Sequence, residues 1–202
     1  AGVDKVKLML SASDSHSLSN ANAPVKEALE RFYPLMDVAA KNNINVSGSI
    51  SVAFGCPYEG EVPVERLIWI CEQYREMGIC EVSLADTTGM ANPMKIKTVV
   101  RQLKQAFPQF AFSLHLHNTR GMAFANAVAG LEEGITHFDS SVAGLGGCPY
   151  APGASGNIAS EDLIHGFEEM GIKTAVNLDE VLNVARRLKK LLPNYTDSFL
   201  LK

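Results

Sequence analysis

Long apolar runs are missing from this chain of 202 residues, and none approaches the ~18 residues that a membrane-spanning helix needs. Its 18 Lys and Arg residues are scattered among 22 Asp and Glu residues, so no basic stripe suited to nucleic acid forms. The N-terminal residues also lack the basic leader and apolar stretch of a secretory signal. We therefore expect a protein without membrane or nucleic-acid partners, located in the cytoplasm.

Cysteine is scarce, with four residues at Cys56, Cys71, Cys80 and Cys148. No pair has the Cys-x-x-Cys spacing of a structural zinc site. Two disulfides would suit a small secreted protein, but this chain is mid-sized and has ordinary core-forming composition. Free thiols in a reducing compartment are therefore expected.

The sequence alternates short β-rich runs with segments of helical periodicity. The β-rich runs cover 6–12, 46–53, 81–87, 112–118 and 136–143, and the helical segments cover 24–41, 63–78, 92–107, 121–133, 160–170 and 178–192. Such alternation predicts an α/β fold whose parallel sheet is covered by helices, here as one domain over 1–202.

The polar residues favour a barrel over an open sheet. Polar side chains follow the ends of the predicted strands, at Ser11, Ser13, Asp86, His117 and Ser140. A (β/α)8 TIM barrel carries its active site at that mouth. A dinucleotide-binding fold needs a glycine-rich turn after its first strand, and 11–20 contains no glycine. Since a barrel has about eight strands, we expect the C-terminal five or so βα units, with three N-terminal units missing.

A His-x-His pair lies near the end of the fourth predicted strand. Alternate residues of a strand point to the same face, so His115 and His117 are expected to project together while Leu114 and Leu116 pack against helices. Two adjacent imidazoles can chelate one divalent ion. The alternative is a pair of structural histidines with hydrogen-bond partners of their own.

A glycine-rich loop covers 144–156, follows the fifth predicted strand and contains Cys148. Its backbone freedom suits a lid that closes over a substrate. Phosphate binding and a simple flexible connector are the alternatives, although the Lys-Ser/Thr of a phosphate loop is absent from this segment. Asn157 follows the loop directly.

Three carboxylates have ordinary structural explanations as well as functional ones. Asp86 could act as a base, lie beside a metal or only form a turn before the Thr-Thr-Gly that follows it. Glu161 and Asp162 fall in the first turn of a predicted helix, where the helix dipole favours negative charge in any protein. Their positions alone do not establish a function.

Together these segments resemble one enzyme family. Segment 141–150 (SVAGLGGCPY) resembles the active-site signature of 3-hydroxy-3-methylglutaryl-CoA lyases. The similarity continues through 153–157 and 161–162, and it also covers 11–13, 55–60 and 81–87. It therefore extends over nearly the whole chain.

The resemblance implies a metal-dependent TIM barrel that cleaves an acyl-CoA substrate to acetyl-CoA and acetoacetate. It implies Mg²⁺ or Mn²⁺ bound by His115, His117 and Asn157, and a homodimer. Cys148 would act in proton transfer, Asp86 would assist catalysis and Glu161 would support the site. The implied substrate-binding residues are Ser11, Ser13 and Ser83.

Two departures from the family pattern stand out. The family's first strand supplies an Arg-Asp pair, which has no counterpart here, so the isolated chain is expected to be inactive. The family usually has Asp after its His-x-His, where this chain has Asn118. Two other hypotheses remain: an isopropylmalate- or citramalate-synthase-like transferase of the same superfamily, and a degenerate, non-catalytic barrel fragment.

Overall fold

The computed structural model describes residues 2–147, 156–194 and 196–201. Within these residues, five strands form one parallel sheet in the order β1-β2-β3-β4-β5. The strands are β1 Lys5–Ser11, β2 Asn45–Ser51, β3 Glu81–Asp86, β4 Ala111–Leu116 and β5 Phe138–Asp139. The predicted α/β class and the strand count are confirmed.

Helices connect these strands. In the described part they are α1 Asp14–Ala21, α2 Val25–Glu30, α3 Phe32–Lys41, α4 Val64–Glu76, α5 Pro93–Ala106, α6 Ala123–Glu132, α7 Ser160–Glu169 and α8 Leu178–Leu191. Short 3-10 helices cover Val142–Gly144 and Phe199–Leu201. No helix among the described residues combines the length and apolarity that crossing a membrane requires.

Local sequence signals explain where α5 begins and which face it buries. The Asn92 side chain accepts a hydrogen bond from the backbone N–H of Lys95 and so caps the helix, and Pro93 occupies its first turn. Its buried residues recur at helical spacing: Ile96, Val99, Val100 and Leu103.

The two faces of the sheet differ in chemistry. The helix-covered face contributes buried apolar side chains, among them Leu10, Ile50, Leu84 and Leu114. Tyr74 of α4 lies so close to β2 that a Cβ at Gly48 would come within 2.7 Å of its ring. The other face carries ion pairs between strands, including Lys7 with Asp139. The face of the sheet opposite the helices is therefore polar.

The structure differs from the sequence expectations at three places. The predicted helix 24–41 divides at Arg31, because Pro34 lacks the N–H that would bond to the carbonyl of Glu30. Helix α1 was not predicted. Strand β5 is shorter than the predicted run 136–143, since the chain turns into a 3-10 helix with Ala143 at a φ of 59°.

Candidate functional site

A cleft of about 460 Å³ opens beside the carboxyl ends of the strands. Its lining includes His115, His117 and Asn157, the three residues expected to bind a metal. Lys7, His16 and Asp139, which the sequence did not single out, also line it. The lining residues come from all five strands, from α1, and from the segments after β5 and before α7.

Strand alternation brings the two imidazoles together. The rings of His115 and His117 lie 5.2 Å apart between centroids, while Leu114 and Leu116 are 0% and 1% exposed. His117 is itself 5% exposed. The expected orientation of this His-x-His pair is therefore present.

Backbone hydrogen bonds hold the segment that contains Asn157 beside His117. His117 and Asn157 form an antiparallel β-bridge. On either side of it, the Asn118 N–H donates to Gly156 O at 3.1 Å, and the Ile158 N–H donates to Leu116 O at 2.9 Å. These bonds place segment 156–158 alongside the end of β4.

The Asn157 amide is oriented by the start of the glycine-rich loop. Its Nδ2 donates to Leu145 O at 2.8 Å, and a Cβ at Gly146 would lie 2.8 Å from the same nitrogen. Its Oδ1 is buried and has no hydrogen-bond partner among the residues that the structure describes. Leaving such an oxygen unpaired costs about 1–3 kcal/mol, which makes Asn157 Oδ1 a candidate ligand for a bound ion.

These donors fit a divalent ion. Imidazole nitrogens and amide oxygens are accepted ligands for Mn²⁺ and related ions, and an unpaired buried oxygen is available beside them. Within 2–147, 156–194 and 196–201, no group of three or more His, Cys, Asp and Glu residues could hold a metal. The carboxamide of Asn157 would therefore have to complete the set with the two histidines.

Asp139 was not predicted to contribute to the site. Its Oδ2 accepts from Lys7 Nζ at 2.9 Å and from Ser83 Oγ at 3.0 Å, and lies 3.5 Å from His115 Nδ1. The His115 ring and the Lys7 ammonium hold the pKa of Asp139 below its usual range. An ionised carboxylate beside Nδ1 fixes the orientation of an imidazole and leaves its other nitrogen available to a metal.

Asp86 is buried and lies outside the cleft lining. Its Oδ1 accepts from the N–H groups of Met90 and Ala91 at 2.8 and 3.1 Å, which forms the turn after β3. Its Oδ2 has no partner among the described residues, and burial raises the pKa of the group to about 6. A turn-forming role is thus visible, whereas its catalytic role stays a prediction.

Glu161 is buried in the first turn of α7 and anchors the loop entrance. Its Oε2 accepts from the Ala143 N–H at 3.0 Å, and its Oε1 is buried without a partner in the described residues. Because Ala143 has a left-handed backbone, this bond stabilises the bend that begins the glycine-rich segment.

The three serines expected to bind substrate contact other protein groups. Ser11 Oγ lies 2.7 Å from His16 Nδ1, Ser13 Oγ lies 3.0 Å from Cys56 Sγ, and Ser83 donates to Asp139. Their substrate-binding roles stay predictions. Cys148 lies outside the described residues, and so does its expected role in proton transfer.

The comparisons with known proteins agree on one family. The model of the HMGL-like family matches residues 1–188. Hydroxymethylglutaryl-CoA lyase YngG of Bacillus subtilis is 44% identical over 189 residues, which are 94% of this chain and 63% of that protein. The mitochondrial hydroxymethylglutaryl-CoA lyase of Homo sapiens is 39% identical over 198 residues, 98% of this chain and 61% of that protein.

Solved structures share the fold over almost the whole chain. An HMG-CoA lyase from Acinetobacter baumannii, in complex with coenzyme A and 3-methylmalate, superposes with a TM-score of 0.92 at 39% identity. The match covers 98% of this chain and 64% of that one. The Bacillus subtilis HMG-CoA lyase gives a TM-score of 0.92 at 42% identity, covering 99% of this chain and 67% of that one. The family match, the identities and the shared fold show that this chain belongs to the HMGL-like family.

Proposed function

We propose that this chain forms the metal-binding half of a site that cleaves 3-hydroxy-3-methylglutaryl-CoA, or a close 3-hydroxyacyl-CoA, to acetyl-CoA and acetoacetate. The observation that carries the proposal is the unpaired, buried Oδ1 of Asn157 in a segment bridged to His117, in the cleft that His115 also lines. The names of the relatives in Bacillus subtilis and Homo sapiens support the reaction. The coenzyme A bound to the Acinetobacter baumannii lyase supports the substrate class.

The proposal concerns these residues as part of a closed barrel. The chain spans 63% of the length of its Bacillus subtilis relative. Its described residues form five strands, whereas a TIM barrel has about eight. Activity is therefore expected of a polypeptide that contains this chain together with the remaining strands.

The reaction needs a proton to leave the 3-hydroxyl oxygen of the substrate. The O–H electron pair then forms the ketone of acetoacetate, while the bond between the α- and β-carbons breaks. Its electrons pass into the thioester as the enolate of acetyl-CoA, and protonation of that carbon completes the product. When held by His115, His117 and Asn157, a divalent ion would polarise the hydroxyl and carboxylate oxygens of the acyl group.

The chain's own residues prepare this site before any ligand arrives. Asp139 orients the His115 ring through Nδ1, and Leu145 O orients the Asn157 amide so that its oxygen stays unpaired. Both supports are in place without rearrangement, as a preorganised site requires. Cys148 in the loop after Gly147 is the proposed proton carrier, since a thiol titrates near neutral pH when its environment lowers its pKa.

Metal binding tests the proposal directly. We expect the purified chain to bind Mn²⁺, and Asn157→Ala to weaken that binding by at least tenfold. Asn183→Ala changes an amide on α8 whose Oδ1 accepts only from Arg186 among the described residues, and serves as the control. Equal Mn²⁺ affinity in wild type and Asn157→Ala would remove the proposed ligand set.

The reaction itself is tested with a polypeptide that contains the chain and a complete barrel. With Mg²⁺ present, it should release acetyl-CoA and acetoacetate from 3-hydroxy-3-methylglutaryl-CoA. Failure to cleave any branched 3-hydroxyacyl-CoA would overturn the proposed activity. We also propose a homodimer, located in the cytoplasm or, if the source is eukaryotic, in mitochondria. The human relative is named mitochondrial and a rat relative cytoplasmic.

A further inference from the structure

A third histidine, His16, lines the cleft and does not belong to the pair on β4. It lies in α1, is 1% exposed, and borders the cleft together with His115, His117 and Asn157. Strands β2 and β3 separate β1, which leads into α1, from β4. His16 therefore enters the cleft from the β1 side, whereas the proposed metal ligands lie beside β4.

One nitrogen of the His16 ring is occupied. Nδ1 lies 2.7 Å from Ser11 Oγ, and the direction of this hydrogen bond depends on the ring tautomer. We assign the donor role to Ser11, which places the proton of the neutral ring on Nε2. Burial lowers the pKa of His16, which favours this neutral form.

The other nitrogen is available for a ligand. Nε2 is buried and has no hydrogen-bond partner among the described residues. A histidine that served only the core would have a partner for both nitrogens, because a buried N–H without one is unfavourable. Because His16 belongs to α1 and is separated by β2 and β3 from the proposed metal ligands beside β4, we assign it to the organic ligand.

The N-terminus of helix α1 is anchored to a neighbouring turn, and the His16 ring is held at Nδ1 by Ser11. Ser13 caps the helix by accepting from the His16 N–H at 3.2 Å and contacts Cys56 Sγ at 3.0 Å. The Ser15 N–H donates to Glu59 Oε1 at 2.7 Å. A donor held in this way loses little freedom when a ligand binds.

We propose that His16 Nε2–H donates a hydrogen bond to an acyl oxygen of the bound acyl-CoA. The inference rests on the proposed function for the nature of the ligand. The oxygen belongs to either the thioester carbonyl or the carboxylate of the acyl group, both of which accept hydrogen bonds. A neutral donor in a buried position suits an oxygen on which negative charge develops during cleavage.

Nuclear magnetic resonance of the imidazole nitrogens tests this contact. A polypeptide that contains this chain together with the remaining strands of the barrel, with ¹⁵N-labelled histidine and Mg²⁺, is titrated separately with acetyl-CoA, with 3-hydroxy-3-methylglutarate and with coenzyme A. If the thioester carbonyl is the acceptor, we expect acetyl-CoA to shift the His16 Nε2–H proton resonance downfield. If the carboxylate is the acceptor, we expect 3-hydroxy-3-methylglutarate to cause this shift. Coenzyme A without an acyl group should leave this resonance unchanged.

Substitutions provide an independent measure. We expect His16→Phe to weaken binding of the effective acyl ligand by at least tenfold, about 1.4 kcal/mol, with coenzyme A binding unchanged. His16→Gln, whose amide can donate, should restore part of the loss. His165→Phe replaces a half-buried histidine of α7 that does not line the cleft, and is the matched control. Circular dichroism tests whether each variant is folded. If His16→Phe does not fold, the nuclear magnetic resonance titration of the wild type still tests the contact.

The outcomes separate this inference from the proposed function. Binding of an acyl ligand to wild type with no change at His16 would overturn the inference and leave the proposed function intact. Absence of any acyl-CoA or acyl acid binding by wild type would count against both. A ring that carries its proton on Nδ1 throughout the titration would also overturn the donor role.

Discussion

His115 and Asp139 stand directly opposite each other on neighbouring parallel strands, and their side chains meet, with Nδ1 and Oδ2 3.5 Å apart. The same carboxylate oxygen accepts from Lys7 on β1 and Ser83 on β3. One ionised group therefore connects four strands of the sheet at the floor of the cleft. The orientation of His115, a proposed metal ligand, therefore depends on Asp139 and on the residues that hold Asp139 in place.

Asp139→Asn is expected to weaken Mn²⁺ binding by roughly 10- to 100-fold, the usual effect of removing a carboxylate that orients a ligating histidine. The amide cannot supply the negative charge that holds the His115 ring and the Lys7 ammonium. Calorimetric titration with Mn²⁺ measures the change. Asp37→Asn, at an exposed position on α3, is the control, and an Mn²⁺ affinity of Asp139→Asn equal to that of the control would contradict the orienting role.

Gly156→Ala is expected to destabilise the chain and to displace Asn157. A Cβ at this glycine would lie 2.0 Å from the backbone oxygen of Gly144. Moving that oxygen would displace the backbone at the beginning of the glycine-rich loop. We expect a loss of roughly 2–4 kcal/mol in the free energy of unfolding and weaker Mn²⁺ binding. Urea denaturation and Mn²⁺ titration measure the two effects.

The matched control for that substitution is Gly78→Ala. Gly78 has a positive φ of 79° but no heavy atom within 4 Å of the added carbon. Its replacement should cost only the left-handed strain of about 1–2 kcal/mol and leave Mn²⁺ binding unchanged. Equal metal affinity in the two glycine variants would show that the close approach of Gly156 to Gly144 does not position Asn157.

The sequence predicted the features that depend on local periodicity. The alternation of histidine and leucine along β4 was sufficient to place both imidazoles on one face. Proline and glycine positions indicated both ends of α4 and the beginning of α5. Helix α1 was missed because its sequence, DSHSLSNA, is mostly polar and has little apolar periodicity. It is stabilised instead by the Ser13 cap and by the contact of Ser15 with Glu59.

The remaining site residues depend on tertiary structure. Asp139 contributes because the register of β4 and β5 sets it opposite His115, and a two-residue strand carries too weak a pattern to predict that register. His16 became visible only with α1. Asn157 was assigned to the metal through the family resemblance, and its unpaired oxygen follows from a bond to Leu145 O that spacing alone could not predict.

Asp86 is expected to make stability depend on pH in the range of its shifted titration. Burial raises its pKa from 3.8 to about 6, so the folded chain retains the proton more tightly than the unfolded chain does. The stabilisation by the protonated form is complete below about pH 4 and is lost as the pH rises to about 6. Ionised Asp86 therefore lowers the free energy of unfolding at neutral pH.

Asp86→Asn removes this titration and keeps an oxygen that can accept from the N–H groups of Met90 and Ala91. Relative to wild type, the variant should gain stability between about pH 4 and pH 6 and keep a constant advantage above that range. Urea denaturation at a series of pH values measures the difference, with Asp37→Asn as the control. A difference that stays flat with pH would show that Asp86 titrates normally in the folded chain.

Asn118 replaces the aspartate expected from the family pattern, and its contacts show a structural use for the amide. Its Oδ1 accepts from the Ala123 N–H at 3.2 Å at the beginning of α6, and its carbonyl accepts from the Gly121 N–H. Asn118→Asp would place a negative charge at this helix N-terminus and should stabilise the chain by about 0.3–1 kcal/mol at neutral pH. Because the side chain bonds to α6, Mn²⁺ affinity should change by less than threefold. Thermal denaturation and Mn²⁺ titration provide the measurements, and a tenfold tighter Mn²⁺ affinity would instead assign the family's aspartate a direct electrostatic role at the metal.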